Sequence, residues 1–185
     1  MGKLSHLPYI DNESQAMISI DLEHSARHNG TAYLFWAKNL TTLAQNASIY
    51  ISFKTGTDAT EVALKTLEVV TDGAVRVQLY EGATVTDATG LTITPVQRNR
   101  RSTNAATTLI RYNPTVTADG TLIAEYLQGA GNVLGVGVNT HSLDDTGFSL
   151  KNNTMYVFKL THDVTGSATD IKVVQALGYF FEIIR

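Results

Sequence analysis

The sequence predicts an all-β fold, an antiparallel β-sandwich of jelly-roll type with a short N-terminal arm, and three observations predict it. Apolar and polar residues alternate with period two in run after run, the mark of strands with one face on a core. Turn signals recur at spacings of roughly 8–12 residues with few helical windows between them. Threonine fills 25 of the 185 positions, and a β-branched side chain that is polar on one side fits a pleated, half-buried surface. Doubling the sheet also limits unpaired strand edges.

In chain order, residues 1–14 are mixed and unlike a strand, and read as an arm that orders against a neighbour. Residues 15–185 form one domain with no internal repeat and no linker. Its first strand is expected where Ala16, Ile18, Ile20 and Leu22 alternate with Met17, Ser19 and Asp21. Thr31 to Ala37 is apolar on both parities, so that strand should be covered on both faces. Ile49, Ile51 and Phe53 alternate with Ser48, Tyr50 and Ser52. Ala59 to Val70 carries two patterns: a helix capped by Asp58 with Glu61 in the capping-box position, or a strand with Val62, Leu64 and Thr66 on one side. The strand is preferred, because Asp72-Gly73 then turns it as a hairpin into Ala74–Tyr80.

At the C-terminal end Tyr156, Phe158 and Leu160 make an inward face, and Asp163 to Ser167 should turn this strand into the next as a second hairpin. From Ile171 every second residue is Ile171, Val173, Gln175, Leu177, Tyr179, Phe181 and Ile183, with Lys172 and Glu182 on the opposite parity. Gly178 interrupts this pattern and suggests a bulge.

Composition narrows the function. Charged residues are 17% of the chain, against a typical share of about 25%, so hydroxyls and amides cover much of the surface. The net charge of −3 argues for neither nucleic-acid nor membrane binding. Without cysteine there is no disulfide framework and no Cys-based metal site. No apolar run approaches the length of a membrane-spanning helix, and Met1 to Ser14 lacks signal-peptide and myristoylation character, as expected of a protein made in the cytoplasm. The five Asn-X-Ser/Thr sequons, at Asn12, Asn29, Asn39, Asn46 and Asn152, read as chance in a chain rich in both residues.

Motifs for catalysis are weak. His24 and His28 have metal-ligand spacing for a helix, but Gly30 and the flanking strand patterns argue against a helix there. His141 with Asp144 and Asp145 lacks a calcium-loop pattern. Gly129 to Gly137 has the glycines of a phosphate loop without their spacing or a βαβ context. No Gly-x-Ser-x-Gly, Walker or His-Glu-x-x-His motif occurs, so the chain reads as no enzyme, with no cofactor and no metal. Tyr33, Phe35 and Trp36 are adjacent aromatics whose faces alternate, so core packing is preferred to a sugar-stacking platform. Arg98, Arg100 and Arg101, with Asn99 and Ser102 between them, form the only dense basic cluster. Guanidinium groups of this kind suit carboxylates at an interface.

Leu79 to Thr121 joins a strand ending Leu79-Tyr80-Glu81-Gly82 to Gln97-Arg98-Asn99-Arg100-Arg101-Ser102 and then to Asn113–Thr121. The C-terminal part repeats polar turn and aromatic strand, as Leu150–Phe158 and Gly178–Glu182. In this combination, over roughly residues 45–185, the chain resembles a family of bacteriophage virion proteins, small all-β domains that decorate or cement the outside of capsids. The resemblance implies a homotrimer on the outer capsid surface, bridging capsomers of the major capsid protein lattice. Alternative readings are a tail-fibre or baseplate head domain, or a carbohydrate-binding module, recognising the host surface. The expected interface is the arm, through Leu4, Leu7, Tyr9 and Ile10, together with Arg98, Arg100 and Arg101.

Overall fold

A computed structural model describes residues 9–10, 17–18, 22–38, 42–57, 60–86, 89–128, 147–162 and 170–184. In chain order they form β1 (Tyr9–Ile10), β2 (Met17–Ile18), α1 (Leu22–His28), β3 (Ala32–Lys38), β4 (Ser48–Lys54), β5 (Thr60–Thr71), β6 (Val75–Glu81), β7 (Thr84–Val85) and β8 (Leu91–Ile93). There follow β9 (Val96–Gln97), β10 (Leu109–Tyr112), β11 (Val116–Ala118), β12 (Thr121–Gln128), β13 (Phe148–Leu150), β14 (Met155–His162) and β15 (Val174–Ile184).

The fold is an all-β sandwich. One layer has six strands in the order β12-β6-β14-β4-β10-β8, the other five in the order β13-β5-β15-β3-β9, and every pairing is antiparallel. The principal pairs are nested: β6 with β12, β5 with β13, β4 with β14 and β3 with β15. Strands β3 to β6, and again β12 to β15, thus alternate between the two layers, and the segment between β6 and β12 supplies β7 to β11.

That winding corrects both expected hairpins. The strand preferred over the rival helix is β5, but β5 and β6 lie in different layers, so Asp72-Gly73 is an arch between sheets. Its chemistry serves the arch: the Asp72 carboxylate accepts from the backbone N–H of Lys172 and Val173 at 3.1 and 3.0 Å, and a Cβ on Gly73 would stand 2.7 Å from Ile171 Cγ1. β14 and β15 likewise belong to opposite layers, and the turn residues 163–167 lie outside the described residues.

Between the layers lies an apolar core. Ile51, Phe53, Tyr156, Phe158, Leu160, Val75 and Val77 face it from the six-stranded sheet, and Tyr33, Phe35, Leu64, Leu67, Val174 and Phe180 from the other, all at most 2% exposed. Aromatic rings meet at its centre, Phe53 and Phe180 edge to face with centroids 5.0 Å apart.

The parity of the last strand is the reverse of the expected one. Val174, Ala176, Gly178, Phe180 and Glu182 face the core, whereas Tyr179 and Phe181 face outward and are buried by α1. The buried Glu182, 3% exposed, is the charged residue that alternation had placed in solvent. Its carboxylate accepts from the backbone N–H of Thr107 and Thr108 and from both threonine hydroxyls at 2.8–3.1 Å. These bonds close the mouth of the sandwich over its aromatic centre. The expected bulge exists, but on the partner strand: Tyr179 pairs with Thr66 and Phe180 with Leu64, leaving Lys65 of β5 as the extra residue.

Near the N-terminus Met17–Ile18 of the expected strand over 16–22 is β2, residues 16 and 19–21 lie outside the described residues, and α1 begins at Leu22, where the alternation and Gly30 had argued against a helix. A helix of seven residues is not stable alone; packing of its buried Ala26 against Ala32, Ala63, Tyr179 and Phe181 holds it. Within the expected arm, Tyr9–Ile10 pairs antiparallel with Met17–Ile18, so that part is strand after all.

Candidate functional site

Among the described residues, the outer face of the five-stranded sheet divides into a half covered by α1 and a bare half. α1 lies on the half that carries Ala32, Ala63, Tyr179 and Phe181. The arginine cluster is built onto the corner where this helix ends. Gly30, at φ 68°, turns the chain into β3, and a Cβ there would stand 2.2 Å from Ser102 Oγ. Asn99 Nδ2 donates to the His28 carbonyl at 2.9 Å, Gln97 Nε2 to that of Gly30 at 2.8 Å, and Asn104 Nδ2 to that of Asn29 at 3.2 Å. Amide side chains from the 97–104 turn thus satisfy carbonyls that the helix end would leave open. Asn99 Oδ1 accepts from the Arg101 N–H at 3.1 Å, which fixes the turn itself.

The three arginines divide. Arg98 faces inward: its guanidinium lies 4.5 Å over the Tyr179 ring and 3.3 Å from Glu23 Oε1, while Glu23 also pairs with Arg27 at 3.2 Å. Its side chain thus bonds α1 to the sheet. Arg100 and Arg101 are exposed and form no ion pair among the described residues. Leu4 and Leu7 lie outside the described residues, and Tyr9 and Ile10 are placed only as the backbone of β1.

The bare half is the feature that alternation missed. Trp36, expected in the core, is 59% exposed, and Leu177, its cross-strand partner, is 41% exposed. Coverage of β3 on both faces therefore stops at Phe35. Glu68 of β5 continues this row on the other side of Leu177, and the next row is Val70, Gln175 and Lys38. The exposed Trp36 and Leu177, bracketed by a cation and a carboxylate, mark this half, and sequence alone gives no sign that no described residue packs above them.

The outer face of the six-stranded sheet is unlike it. There Lys159 Nζ pairs with Asp119 Oδ2 at 2.7 Å and lies 5.7 Å from the Tyr50 ring, and Ser48 and Thr161 hydroxyls share a hydrogen bond at 2.8 Å. That face pairs its polar groups internally, and its exposed leucines, Leu109, Leu122 and Leu127, stand on β10 and β12. A cleft of about 300 Å³ beside it is lined by Lys54, Thr55, Gly56, Thr57, Thr107, Leu109 and Asn153, a set with no acid–base pair. His24 and His28 do share a helix face, with ring centroids 4.5 Å apart, but no group of three His, Cys, Asp or Glu fit to hold a metal occurs among the described residues. The His141, Asp144–Asp145 and Gly129–Gly137 segments lie outside the described residues.

Comparison with known proteins returns no matching family model, no matching curated protein and no matching solved structure.

Proposed function

We propose that the chain is a structural protein of a bacteriophage virion, a decoration or cement protein that binds the outer capsid surface and works by association alone. The observation that carries this reading is the exposed Trp36–Leu177 pair on an otherwise well-packed sheet. Contiguous apolar surface on a sheet face is costly in water and marks a place where protein is met. At the other end of β3, where α1 ends, Arg100 and Arg101 stand on a turn fixed by side-chain bonds, so they reach carboxylates of a neighbour with little ordering cost. A jelly-roll reading of the sandwich is supported by the nested strand pairs, with β3-β15-β5-β13 facing β4-β14-β6-β12. Binding the assembled lattice and not free capsid subunits stabilises the shell by mass action, with no chemistry needed. Trp36 and Leu177 thereby join the arm residues and Arg98, Arg100 and Arg101 in the proposed contact set.

A second reading has its own support. Trp36 flanked by Lys38 and Gln175 offers an aromatic face with polar neighbours, as a sugar ring requires. Locating the protein in purified particles by labelling and electron microscopy separates the two. Density on the capsid exterior supports the decoration role; density at the tail tip favours host-glycan recognition; absence from particles overturns both.

A further inference from the structure

We infer that the bare half of the five-stranded sheet docks face to face against the same half of a second copy of this chain. The inference rests on reading that face as an association surface, and it adds what occupies it. The six positions form a grid of two rows, Glu68-Leu177-Trp36 and Val70-Gln175-Lys38, on β5, β15 and β3. Glu68 and Lys38 stand at opposite corners, about 12 Å apart at the backbone from strand spacing and rise. They make no ion pair with each other or with any other described residue.

A two-fold axis running in the plane of the contact, through its centre and across the Glu68–Lys38 diagonal, places Lys38 of each copy against Glu68 of the other. The same operation sets Gln175 and Leu177, which flank the centre on β15, each beside its own copy, and each Gln175 amide offers both a donor and an acceptor. Trp36 and Leu177 then bury their exposed surface between the copies. A foreign acidic or basic partner would be matched by one sign of charge. One charge of each sign at corners exchanged by a two-fold rotation matches the patch to itself. The contact is isologous and closes at two copies, unlike the trimer implied by the resemblance.

Sedimentation of the full chain tests this, with circular dichroism as the folding control. Wild type is expected to pass from monomer to dimer as concentration rises to roughly 100 µM. Lys38→Glu and Glu68→Lys, which leave like charges opposed, should each weaken the dimer by about tenfold or more. The double reversal should restore it, and an equimolar mixture of the two single variants should form heterodimers more readily than either forms homodimers. A strict monomer, a trimer, or single variants that dimerise as wild type does would overturn the inference. Particle occupancy is scored separately. Variants that no longer dimerise on charge reversal, in a protein that is absent from particles, would sink the virion role and leave the dimer standing. Full occupancy by a wild-type monomer would do the reverse.

Discussion

Phe35 lies directly across from Gly178 on the neighbouring strand, its ring filling the space where a side chain would stand. A Cβ on Gly178 would fall 2.1 Å from Phe35 Cε1. The ring is held there by Phe53 and Phe180, with centroids 5.9 and 6.2 Å away. Glycine in a central strand is costly by itself, and here an aromatic on the adjacent strand covers it. Gly178→Ala should therefore destabilise the fold by about 1–3 kcal/mol. Phe35→Leu in the same chain should cost less than the sum of the single changes, which a denaturant-unfolding cycle measures directly.

Glu182 tests whether the mouth of the sandwich is held by its carboxylate. Glu182→Ala leaves the Thr107 and Thr108 amides without their acceptor, at a cost of about 1–3 kcal/mol. Hydrogen exchange should show these two amides losing protection before the rest of the fold. Equal protection in the variant would mean that the loop is held by packing alone.

The arginine turn separates by residue. Arg98→Ala should lower stability by about 1 kcal/mol, through loss of its stacking on Tyr179 and its bond to Glu23. Arg98→Lys should recover little, because an ammonium cannot lie flat on the ring. Arg100→Ala should stay within about 0.5 kcal/mol of wild type in the same melts, while weakening any contact with an acidic partner.

Alkaline stability should depend on Tyr156. Burial first, and then the neighbouring Glu81 carboxylate 2.9 Å away, push its phenol up to about 12. An acid whose pKa is raised by folding contributes stability that is fully present below its unfolded value and lost as pH rises through the folded one. Melting temperature should thus fall between pH of roughly 10 and 12, and Tyr156→Phe should flatten that limb. Glu81 is displaced the other way, held below the usual carboxylate range by Lys151 first and by Tyr156 second. Its contribution is present above that range and lost as pH falls through the depressed value. The same Tyr156→Phe change should therefore soften the acid limb as well.

Local pattern was enough for the sheets and not for their pairing. β4, β5 and β6 were legible because one parity of each is core and the other is polar or open. β15 was misread because both of its parities are apolar for different reasons: Phe180 meets the opposite sheet, and Phe181 meets α1. A seven-residue helix carries too little periodicity to be seen, so the inward partner of Arg98, Glu23 on that helix, was invisible too. Asp72-Gly73 favours a sharp turn whether the chain pairs with itself or crosses between layers, and that choice is made by contacts distant in sequence. Trp36 failed for the same reason: a strand reports which side a residue faces, and only the rest of the molecule determines what stands there.

The nesting of strand pairs also sets a schedule. β15 sits between β3 and β5, so the middle of its sheet is occupied by the strand made after all its neighbours. Until residue 184 has cleared the ribosome, β3 and β5 each carry an unpaired inner edge and half of the aromatic centre has no cover. Closure must join segments from opposite ends of the described chain, a search that slows folding and prolongs the interval in which open edges can meet those of another nascent copy. Substitutions that leave the finished sandwich equally stable but slow the arrival of β15 would reduce the yield of soluble protein while leaving its melting temperature unchanged.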